Sequence, residues 1–238
     1  MTDLLQDDLA AALAAHGMML RGGFSPLGPE DAVPALDGGR PVRTLLLVGN
    51  AGPAMYGHFF AAGESDGPLA NALDSWTRRV IEPIAARSGA RALFPFGGPP
   101  WHPFQRWAKR AEGLRASPLG ILIHPEFGLW HAYRAALLFE RELELPAARS
   151  LAHPCDDCAG RPCLATCPVG AITAEGYDAA RCAAHVAGPA GPDCRTGGCL
   201  ARRACPVGRD HVYPARAMEF HMAAFLRNHT PANAAAQR

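Results

Sequence analysis

Eight cysteines, all in the last third of the chain, constrain this sequence more than any other feature. They fall into two sets of four, and no cysteine precedes Cys155. A proline follows the last cysteine of each set: Cys155-x2-Cys158-x4-Cys163-x3-Cys167-Pro168 and Cys182-x11-Cys194-x4-Cys199-x5-Cys205-Pro206. So many thiols in a short segment rich in glycine and proline indicate bound metal, redox groups or disulfides.

The spacing is close to that of two-cluster bacterial ferredoxins, in which C-x2-C-x2-C-x3-C-P occurs twice. The first set differs by two extra residues, Arg161 and Pro162, and the second set is stretched further. In such proteins the fourth cysteine of each set binds the other [4Fe–4S] cluster. We therefore predict two crossed ligand groups. They are Cys155, Cys158, Cys163 and Cys205 for one cluster, and Cys182, Cys194, Cys199 and Cys167 for the other.

The two Cys-Pro pairs have a structural explanation. We expect each fourth cysteine to start a helix that points away from its own set. Proline suits the first position of a helix because it has no N–H group to leave unpaired there. Between the two sets, the sequence "PVGAITAEGYDAARC" is predicted to form a short helix and a hairpin.

Three alternative roles for the cysteines stay open. Structural zinc would use the same thiolates, although zinc sites favour paired C-x2-C motifs and only Cys155 and Cys158 form one. A disulfide framework would require an oxidising compartment. A single cluster beside an irregular second set also agrees with the spacing.

Charge and composition exclude several classes of protein. The 23 basic and 22 acidic residues give a net charge of +1, which is not typical of binding to nucleic acid or to an anionic membrane. The N-terminal segment carries three aspartates, unlike a secretory signal, and no apolar run is long enough to cross a bilayer. We therefore expect a cytoplasmic protein, where clustered cysteines are more often metal ligands or redox groups than disulfides.

The first part of the chain is predicted to be an α+β domain, residues 1–146, because its helices and strands do not alternate regularly. Helices are predicted over residues 2–16, 69–87 and 104–113. Strands are predicted over residues 43–50, 119–125 and 128–140, and residues 17–28 are compatible with a strand and a turn. After a linker at residues 145–154, residues 147–238 are predicted to form a small ferredoxin-like module with a C-terminal helix.

One segment of the first part resembles a known family. The sequence "GILIHPEFGLWHAYRAALLF", Gly120–Phe139, is similar to the hallmark segment of the CblC-type cobalamin-processing proteins. These proteins remove the upper ligand of vitamin B12 on a nitroreductase-like α+β fold. The upstream "GRPVRTLLLVGNAGPAMYGHFF" is similar to their early strand and following loop. The resemblance implies a nitroreductase-like cobalamin-binding domain in which His124, Pro125, Gly128 and Trp130 contact the corrinoid.

The second part resembles the epoxyqueuosine reductases, which carry a two-cluster module with an Asp-Ala-Arg-Arg-Cys stretch. Here "YDAARCAAHV", Tyr177–Val186, is similar. Reductive dehalogenases likewise combine a corrinoid domain with two [4Fe–4S] clusters. One departure concerns the acid that epoxyqueuosine reductases place in a V-D-S/T-x-P segment. The corresponding Ala92–Gln105 has no Asp or Glu, so the general acid for opening an epoxide is not identified, and Phe96 takes its place.

Together these observations predict an iron–sulfur, cobalamin-binding reductase. Two [4Fe–4S] clusters would pass electrons from an external donor, such as a ferredoxin, a flavodoxin or a reductase, to a bound corrinoid. The outcome would be upper-ligand removal or cobalt reduction, with no nucleic-acid or membrane partner. The alternative is a ferredoxin-type electron-transfer protein without corrinoid, whose front domain docks a partner. A flavin in the same pocket is a third option, which no phosphate-binding glycine motif supports.

Overall fold

The structure, a computed structural model, describes residues 2–63, 71–145 and 151–229. It divides into two compact units. The front unit comprises Met1–Leu114 and His131–Leu151, and the cysteine unit comprises Arg115–Trp130 and Ala152–Arg238. The predicted boundary between residues 146 and 147 lies outside the described residues, as does much of the predicted linker. The structural division differs from the predicted one over Arg115–Trp130, which belongs with the cysteines.

A four-stranded sheet forms the centre of the front unit, and every pair of neighbouring strands in it is antiparallel. The elements of this unit are α1 (Thr2–Ala14), β1 (Met19–Phe24), β2 (Thr44–Ala51), α2 (Ala54–Ala61), α3 (Ala72–Arg87), β3 (Arg91–Leu93), α4 (Phe104–Glu112) and β6 (His131–Phe139). The strand order is β1–β2–β6–β3. The intervening β4 (Arg115–Ala116) and β5 (Leu122–Ile123) belong to the cysteine unit. The mixed α and β architecture predicted from the sequence is confirmed.

The two central strands supply most of the sheet's buried surface. Residues 44–50 of β2 are buried without interruption and pair with residues 132–139 of β6. In β6, the side chains of Ala135–Phe139 are completely shielded from solvent. A strand covered on both faces has a continuous apolar sequence rather than an alternating one. That is why "TLLLVG" could be identified as a strand from the sequence alone.

The predicted helices of the front unit are present with shifted ends. The first helix ends at Ala14 rather than at residue 16, and α4 ends at Glu112. The helix predicted over residues 69–87 corresponds to α3, which begins at Ala72 among the described residues. Residues 69 and 70 lie outside the described residues. The ambiguous stretch 17–28 contains strand β1. In the part of the chain that the structure describes, no helix is long and apolar enough to cross a membrane.

A buried ionic network connects β1, β6 and α4. The guanidinium of Arg21, which is 2% exposed, donates to both carboxylate oxygens of Glu112 at 2.9 and 3.0 Å. The hydroxyl of Tyr133 donates to the same carboxylate. Burial is the main cause that raises the pKa of Tyr133, and Glu112 adds to it. Because buried charges are costly unless they are paired, this network favours one arrangement of the three elements.

We expect Tyr133→Phe to lower the free energy of unfolding by about 1.5–3 kcal/mol, the usual range for a hydrogen bond to a charged group. The substitution keeps the ring and removes one donor from the Glu112 carboxylate. Denaturant unfolding followed by circular dichroism measures the change. An unaltered unfolding midpoint would mean that the hydroxyl makes no net contribution to stability.

The cysteine unit consists of short elements joined by turns. Besides the β4–β5 hairpin and a 3₁₀ turn at Arg209–His211, its described residues contain five α-helices: α5 (Pro162–Ala165), α6 (Ala179–Ala187), α7 (Pro192–Gly197), α8 (Leu200–Arg203) and α9 (Ala215–Asn228). Ile123 and Leu129 form a small buried core with Cys205, and Cys155 and Val207 pack against it. This packing explains why Arg115–Trp130 joins the cysteines although it precedes β6 in the chain.

The prediction that each fourth cysteine starts a helix is wrong. Cys167 and Cys205 are each followed by a turn rather than by a helix. Proline instead occupies the first turn of two other helices, at Pro162 in α5 and Pro192 in α7. Proline is therefore found at helix starts, as its geometry favours, but at two positions that are not part of the ferredoxin pattern. The hairpin and helix predicted between the two sets are present as the Ile172–Tyr177 bridge and α6.

Candidate metal centres and a cleft in the front unit

Four cysteines surround one cavity in the cysteine unit. They come from both sets in the sequence: Cys155, Cys158, Cys163 and Cys205. The cavity is narrow, with a volume of about 20 Å³. Apart from Ser117, the other lining residues are apolar, and they include Leu119, Ile123, Leu129 and Val207. The structure thus places four sulfur ligands around a common space with apolar walls.

Electrostatic effects between the thiols agree with their proximity. Burial raises the pKa of the Cys155 thiol, and its neighbours Cys205, Cys158 and Cys163 raise it further. The pKa values of Cys163 and Cys205 are raised in the same way, first by burial and then by nearby thiols. Four thiolates at this spacing repel one another, so they ionise together only when a cation neutralises them. Such a donor set fits a metal cluster bound by four thiolates.

The other four cysteines form a second group: Cys167, Cys182, Cys194 and Cys199. Burial raises the pKa of Cys182 and Cys194, and the thiols of Cys199 and Cys167 add to both shifts. The Cys167 sulfur accepts a hydrogen bond of 3.3 Å from the backbone N–H of Ala171. This group therefore already has one backbone N–H directed at a sulfur atom.

Helix α8 connects the two groups. Cys199 precedes its first residue and Cys205 lies two residues beyond its last, so one short helix separates a cysteine of each group. Among the described residues, no set of three or more His, Cys, Asp or Glu side chains is arranged to hold a single metal ion. Four thiols around a shared space match the ligand set of a [4Fe–4S] cluster. The membership of the groups agrees with the crossed arrangement, and the ligand role itself stays a prediction.

The segment predicted to contact a corrinoid forms a tight turn in the cysteine unit. His124 and Gly128 exchange two backbone hydrogen bonds of 2.9 Å. The Nδ1 atom of His124 accepts the backbone N–H groups of Glu126 at 3.1 Å and Phe127 at 3.2 Å, and its ring stacks on Phe127 at 4.2 Å. The imidazole therefore orders the turn itself, while Pro125 is exposed.

Gly128 lies against the backbone of Val207, the second residue after Cys205. Its φ is +57°, and a Cβ atom at this position would collide with the Val207 carbonyl group, so only glycine fits. The structure thus shows a close backbone approach at Gly128, and it is toward Val207. A contact of Gly128 with a corrinoid stays a prediction from the family resemblance.

Trp130 packs inside the cysteine unit and is 1% exposed. The Arg202 guanidinium lies 4.5 Å from the centre of its ring, and the Tyr213 ring lies 5.4 Å away in an edge-on orientation. Arg202 also donates to the carbonyl oxygen of Leu129 at 2.6 Å. The side chain of Trp130 is thus part of the unit's core, and its contact with a corrinoid also stays a prediction.

The front unit contains an open cleft that the sequence did not reveal. It has a volume of about 660 Å³ and lies between α3 and the loop that follows β3. It is lined by Asn71, Asp74, Ser75, Arg78, Arg79, Glu82, Phe96 and Trp101. Trp101 is 68% exposed, although large aromatic residues are usually shielded from water. A tryptophan in the loop "GGPPWHP" was the available signal, since binding residues concentrate on loops.

Aromatic and cationic side chains form one wall of this cleft. Phe96 stacks on Phe94 with 5.2 Å between ring centres. The guanidinium of Arg78 lies over Phe94 at 4.5 Å, and that of Arg134 lies over Phe96 at 5.8 Å. Phe96 is therefore held in place by stacking, and the loop places an aromatic ring at the cleft.

The carboxylates of the cleft come from α3 rather than from the loop. Asp74 pairs with Arg134 at 3.1 Å, and Glu82 pairs with Arg78 at 3.0 Å. His102, the histidine of this loop, has its pKa lowered by burial and then by Arg91. A lowered pKa favours the neutral imidazole, so His102 is poorly suited to donate a proton near neutral pH.

Comparison with known proteins gives similarity at the level of structure. No family model and no curated sequence matches the chain. The B12-trafficking protein CblC of C. elegans matches with a TM-score of 0.52 and 14% identity over 96% of both chains. Epoxyqueuosine reductase from Bacillus subtilis matches with a TM-score of 0.51 and 14% identity, over 90% of this chain and 68% of that one.

A second epoxyqueuosine reductase structure, with an epoxyqueuosine-modified tRNA-Tyr stem loop, gives a TM-score of 0.50 at 14% identity, again over 90% and 68% of the two chains. This chain has their fold. The resemblance to CblC-type proteins and to epoxyqueuosine reductases predicted from the sequence is therefore confirmed for the fold. The similarity says nothing by itself about the activity of this chain.

Proposed function

We propose that this chain is an iron–sulfur reductase that carries electrons through two [4Fe–4S] clusters to a corrinoid. The reaction is removal of an upper cobalt ligand or reduction of the cobalt, and the donor is an external ferredoxin, flavodoxin or reductase. One observation carries the proposal: eight thiols form two groups of four in a chain that shares its fold with a B12-trafficking protein.

The cysteines would hold the clusters in the two groups described above, and a bound cluster supplies reversible one-electron transfer. The protein around each group differs. Apolar side chains exclude water from the Cys155 group, which disfavours the more negative reduced state. At the second group, the backbone N–H of Ala171 directs a positive dipole at the Cys167 sulfur and favours that state. The two groups of cysteines would therefore give their clusters different reduction potentials.

The front cleft is our candidate site for the corrinoid. Its volume of about 660 Å³ lies in the usual range of small-molecule sites, so it would hold one part of a corrinoid. Phe96 and Trp101 offer apolar faces to a flat ring, and Asn71, Ser75 and Arg79 offer polar groups to its amide-bearing edge. Two arginines and two carboxylates balance the charge of the lining, which suits a ligand of small net charge. His124, Pro125, Gly128 and Trp130 are further candidates on the resemblance alone.

A second function is favoured by the packing of the predicted corrinoid contacts. Gly128 and Trp130 are buried against residues of their own unit, and Nδ1 of His124 accepts two backbone N–H groups. A ferredoxin-type electron carrier needs no corrinoid contact from any of them. In that case the front unit docks a protein partner, and the clusters exchange electrons with it.

Anaerobic reconstitution followed by cobalamin titration separates the two functions. The first requires about eight irons per chain, the content of two [4Fe–4S] clusters, and a visible spectrum of cobalamin that changes until one equivalent is bound. The carrier function requires the same iron content and no spectral change. Absence of iron, or zinc in its place, would contradict both functions.

The cleft assignment makes a prediction at Trp101. We expect Trp101→Ala to weaken cobalamin binding about tenfold, or about 1.4 kcal/mol, because the corrin loses its largest apolar contact. Leu27→Ala is the matched control, since Leu27 is 82% exposed in the same unit and does not line the cleft. Equal affinities of the two variants in the absorbance titration would exclude the cleft as the corrinoid site.

A further inference from the structure

Two glycines from distant parts of the cysteine unit lie against each other near Cys205. Gly128 precedes β6 in the chain, and Gly208 lies three residues after Cys205. A Cβ atom on Gly128 would collide with the carbonyl group of Val207, and one on Gly208 would collide with the carbonyl group of Phe127. Both glycines have a positive φ, +57° and +73°, which glycine adopts readily. The two backbones therefore touch without a side chain between them.

The segment on the Gly128 side has a fixed shape of its own. In the turn that it closes, His124 and Gly128 exchange two backbone hydrogen bonds of 2.9 Å, and Nδ1 of His124 accepts the N–H groups of Glu126 and Phe127. A side-chain contact extends across the junction, since the ring of His211 lies 5.0 Å from that of Phe127 in an edge-on orientation. The turn therefore offers a preformed surface to the segment that it contacts.

Cys205 is held from both sides by one short segment, residues 127–129. On its C-terminal side the attachment is the pair of glycines. On its N-terminal side, the N–H of Cys205 donates to the carbonyl of Arg202 at 3.2 Å, and the Arg202 guanidinium donates to the carbonyl of Leu129 at 2.6 Å. The side chain of Leu129 also packs in the small core that contains Cys205. Three consecutive residues thus fix the chain before and after one thiol.

We propose that Gly128 and Gly208 position Cys205 as the fourth thiolate of the first cluster, the one predicted at the Cys155 group; the inference rests on the proposed function. In that group Cys205 alone comes from the second set in the sequence, so no short loop connects it to the other three cysteines. A cluster requires four thiolates at set positions, and contacts outside the ligand set orient them. The two glycines are positioning residues, and no bond is made or broken at either.

The test is Gly208→Ala in the full-length chain after anaerobic reconstitution. The added Cβ forces the two backbones apart and displaces the fourth thiolate, so we expect about four irons per chain instead of about eight. Added to Cys155→Ala with Cys158→Ala, which lacks the first cluster, the same substitution is expected to remove no further iron. Added to Cys182→Ala with Cys194→Ala, which lacks the second cluster, it is expected to leave almost none.

Gly120→Ala is the matched control. Gly120 belongs to the same unit and has a φ of +74°, almost that of Gly208, but a Cβ atom there would meet no other atom within 4 Å. The variant therefore carries the same backbone strain without the collision. It is expected to keep about eight irons. Circular dichroism shows whether each variant is folded.

A milder pair of variants decides the question if Gly208→Ala does not fold. His124→Ala removes the acceptor of two backbone N–H groups and loosens the turn. His124→Asn restores an acceptor, because asparagine side chains accept backbone N–H groups a few residues further on. In the chain without the second cluster, we expect an iron chelator to bleach the first cluster about tenfold faster in His124→Ala, the factor for loss of ordinary hydrogen bonds, and near the parent rate in His124→Asn.

About eight irons in a folded Gly208→Ala, or equal bleaching rates in His124→Ala and its parent, would overturn the inference and leave the proposed function standing. Further loss of iron when Gly208→Ala is added to the chain without the first cluster would also overturn it, by showing a general loss of stability. Equal loss in Gly120→Ala would do the same, because backbone strain alone would then explain the effect. A wild-type chain that takes up no iron overturns the proposed function instead.

Discussion

Alanine at both Cys155 and Cys205 is expected to leave about half of the iron bound, or about four of eight atoms per chain. Alanine at both Cys182 and Cys205 is expected to remove nearly all of it. The difference arises because Cys155 and Cys205 border the same cavity, whereas Cys182 lies in the other group. In the first variant both substitutions damage one cluster, and in the second variant each damages a different one.

A sequential arrangement, in which each set in the sequence binds its own cluster, makes the opposite prediction. Cys182 and Cys205 would then share a cluster, and their double variant would keep half of the iron. Iron and sulfide analysis after anaerobic reconstitution distinguishes the two arrangements by about a factor of two or more, since each [4Fe–4S] cluster carries four irons. The effect is large because few side chains other than the lost thiolate can complete a cluster in an apolar cavity.

Two further double variants calibrate the measurement. Cys155→Ala with Cys158→Ala removes ligands from one cluster under either arrangement, so half of the iron is expected to stay. Cys155→Ala with Cys182→Ala damages both clusters under either arrangement. Circular dichroism of each variant separates loss of a cluster from loss of the fold. Equal iron contents in the two decisive variants would contradict crossed ligation.

The membership of the cysteine groups could be predicted from the sequence because it depends on a local pattern that occurs twice. In the first set few residues separate the first three thiols, whereas in the second set eleven residues separate Cys182 in α6 from Cys194 in α7. The fourth thiol of each set is placed by the segment that follows. What the pattern could not supply was the local conformation after Cys167 and Cys205. The extra residues around Pro162 and Pro192 let helices start earlier, and turns take the predicted helix positions.

The position of Arg115–Trp130 could not be predicted from the sequence, because it depends on contacts between distant residues. Gly128 lies against Val207, and Leu129 accepts a hydrogen bond from Arg202, which is 73 positions away in the chain. An apolar segment next to a strand is compatible with either unit until those partners are known. The front cleft is similar, because α3 and the loop carrying Trp101 become neighbours only in the folded chain.

Replacing Trp130 by alanine is expected to lower the free energy of unfolding of the cysteine unit by about 3–5 kcal/mol, the usual cost of deleting a buried aromatic side chain. The indole is 1% exposed, so its removal leaves a cavity. It also removes the ring beneath the Arg202 guanidinium, whose Nε has no hydrogen-bond partner in the described structure. Loss of this cation–π contact lowers the free energy of unfolding further. We therefore expect cluster absorbance to be lost at a lower denaturant concentration than in the wild type.

Trp130→Phe and Trp101→Ala separate this stabilising role from the contact with a corrinoid predicted by resemblance. Phenylalanine keeps an aromatic face for Arg202 and fills most of the space, so an intermediate loss of stability is expected. Trp101→Ala changes an exposed side chain and is expected to leave the unfolding midpoint unaltered while it weakens cobalamin binding. If Trp130 instead formed a wall of a corrinoid site, its replacement would reduce the affinity for cobalamin and leave the unfolding midpoint unchanged. Because the ring already packs against Arg202 and Tyr213, stability is the property that its removal should change most.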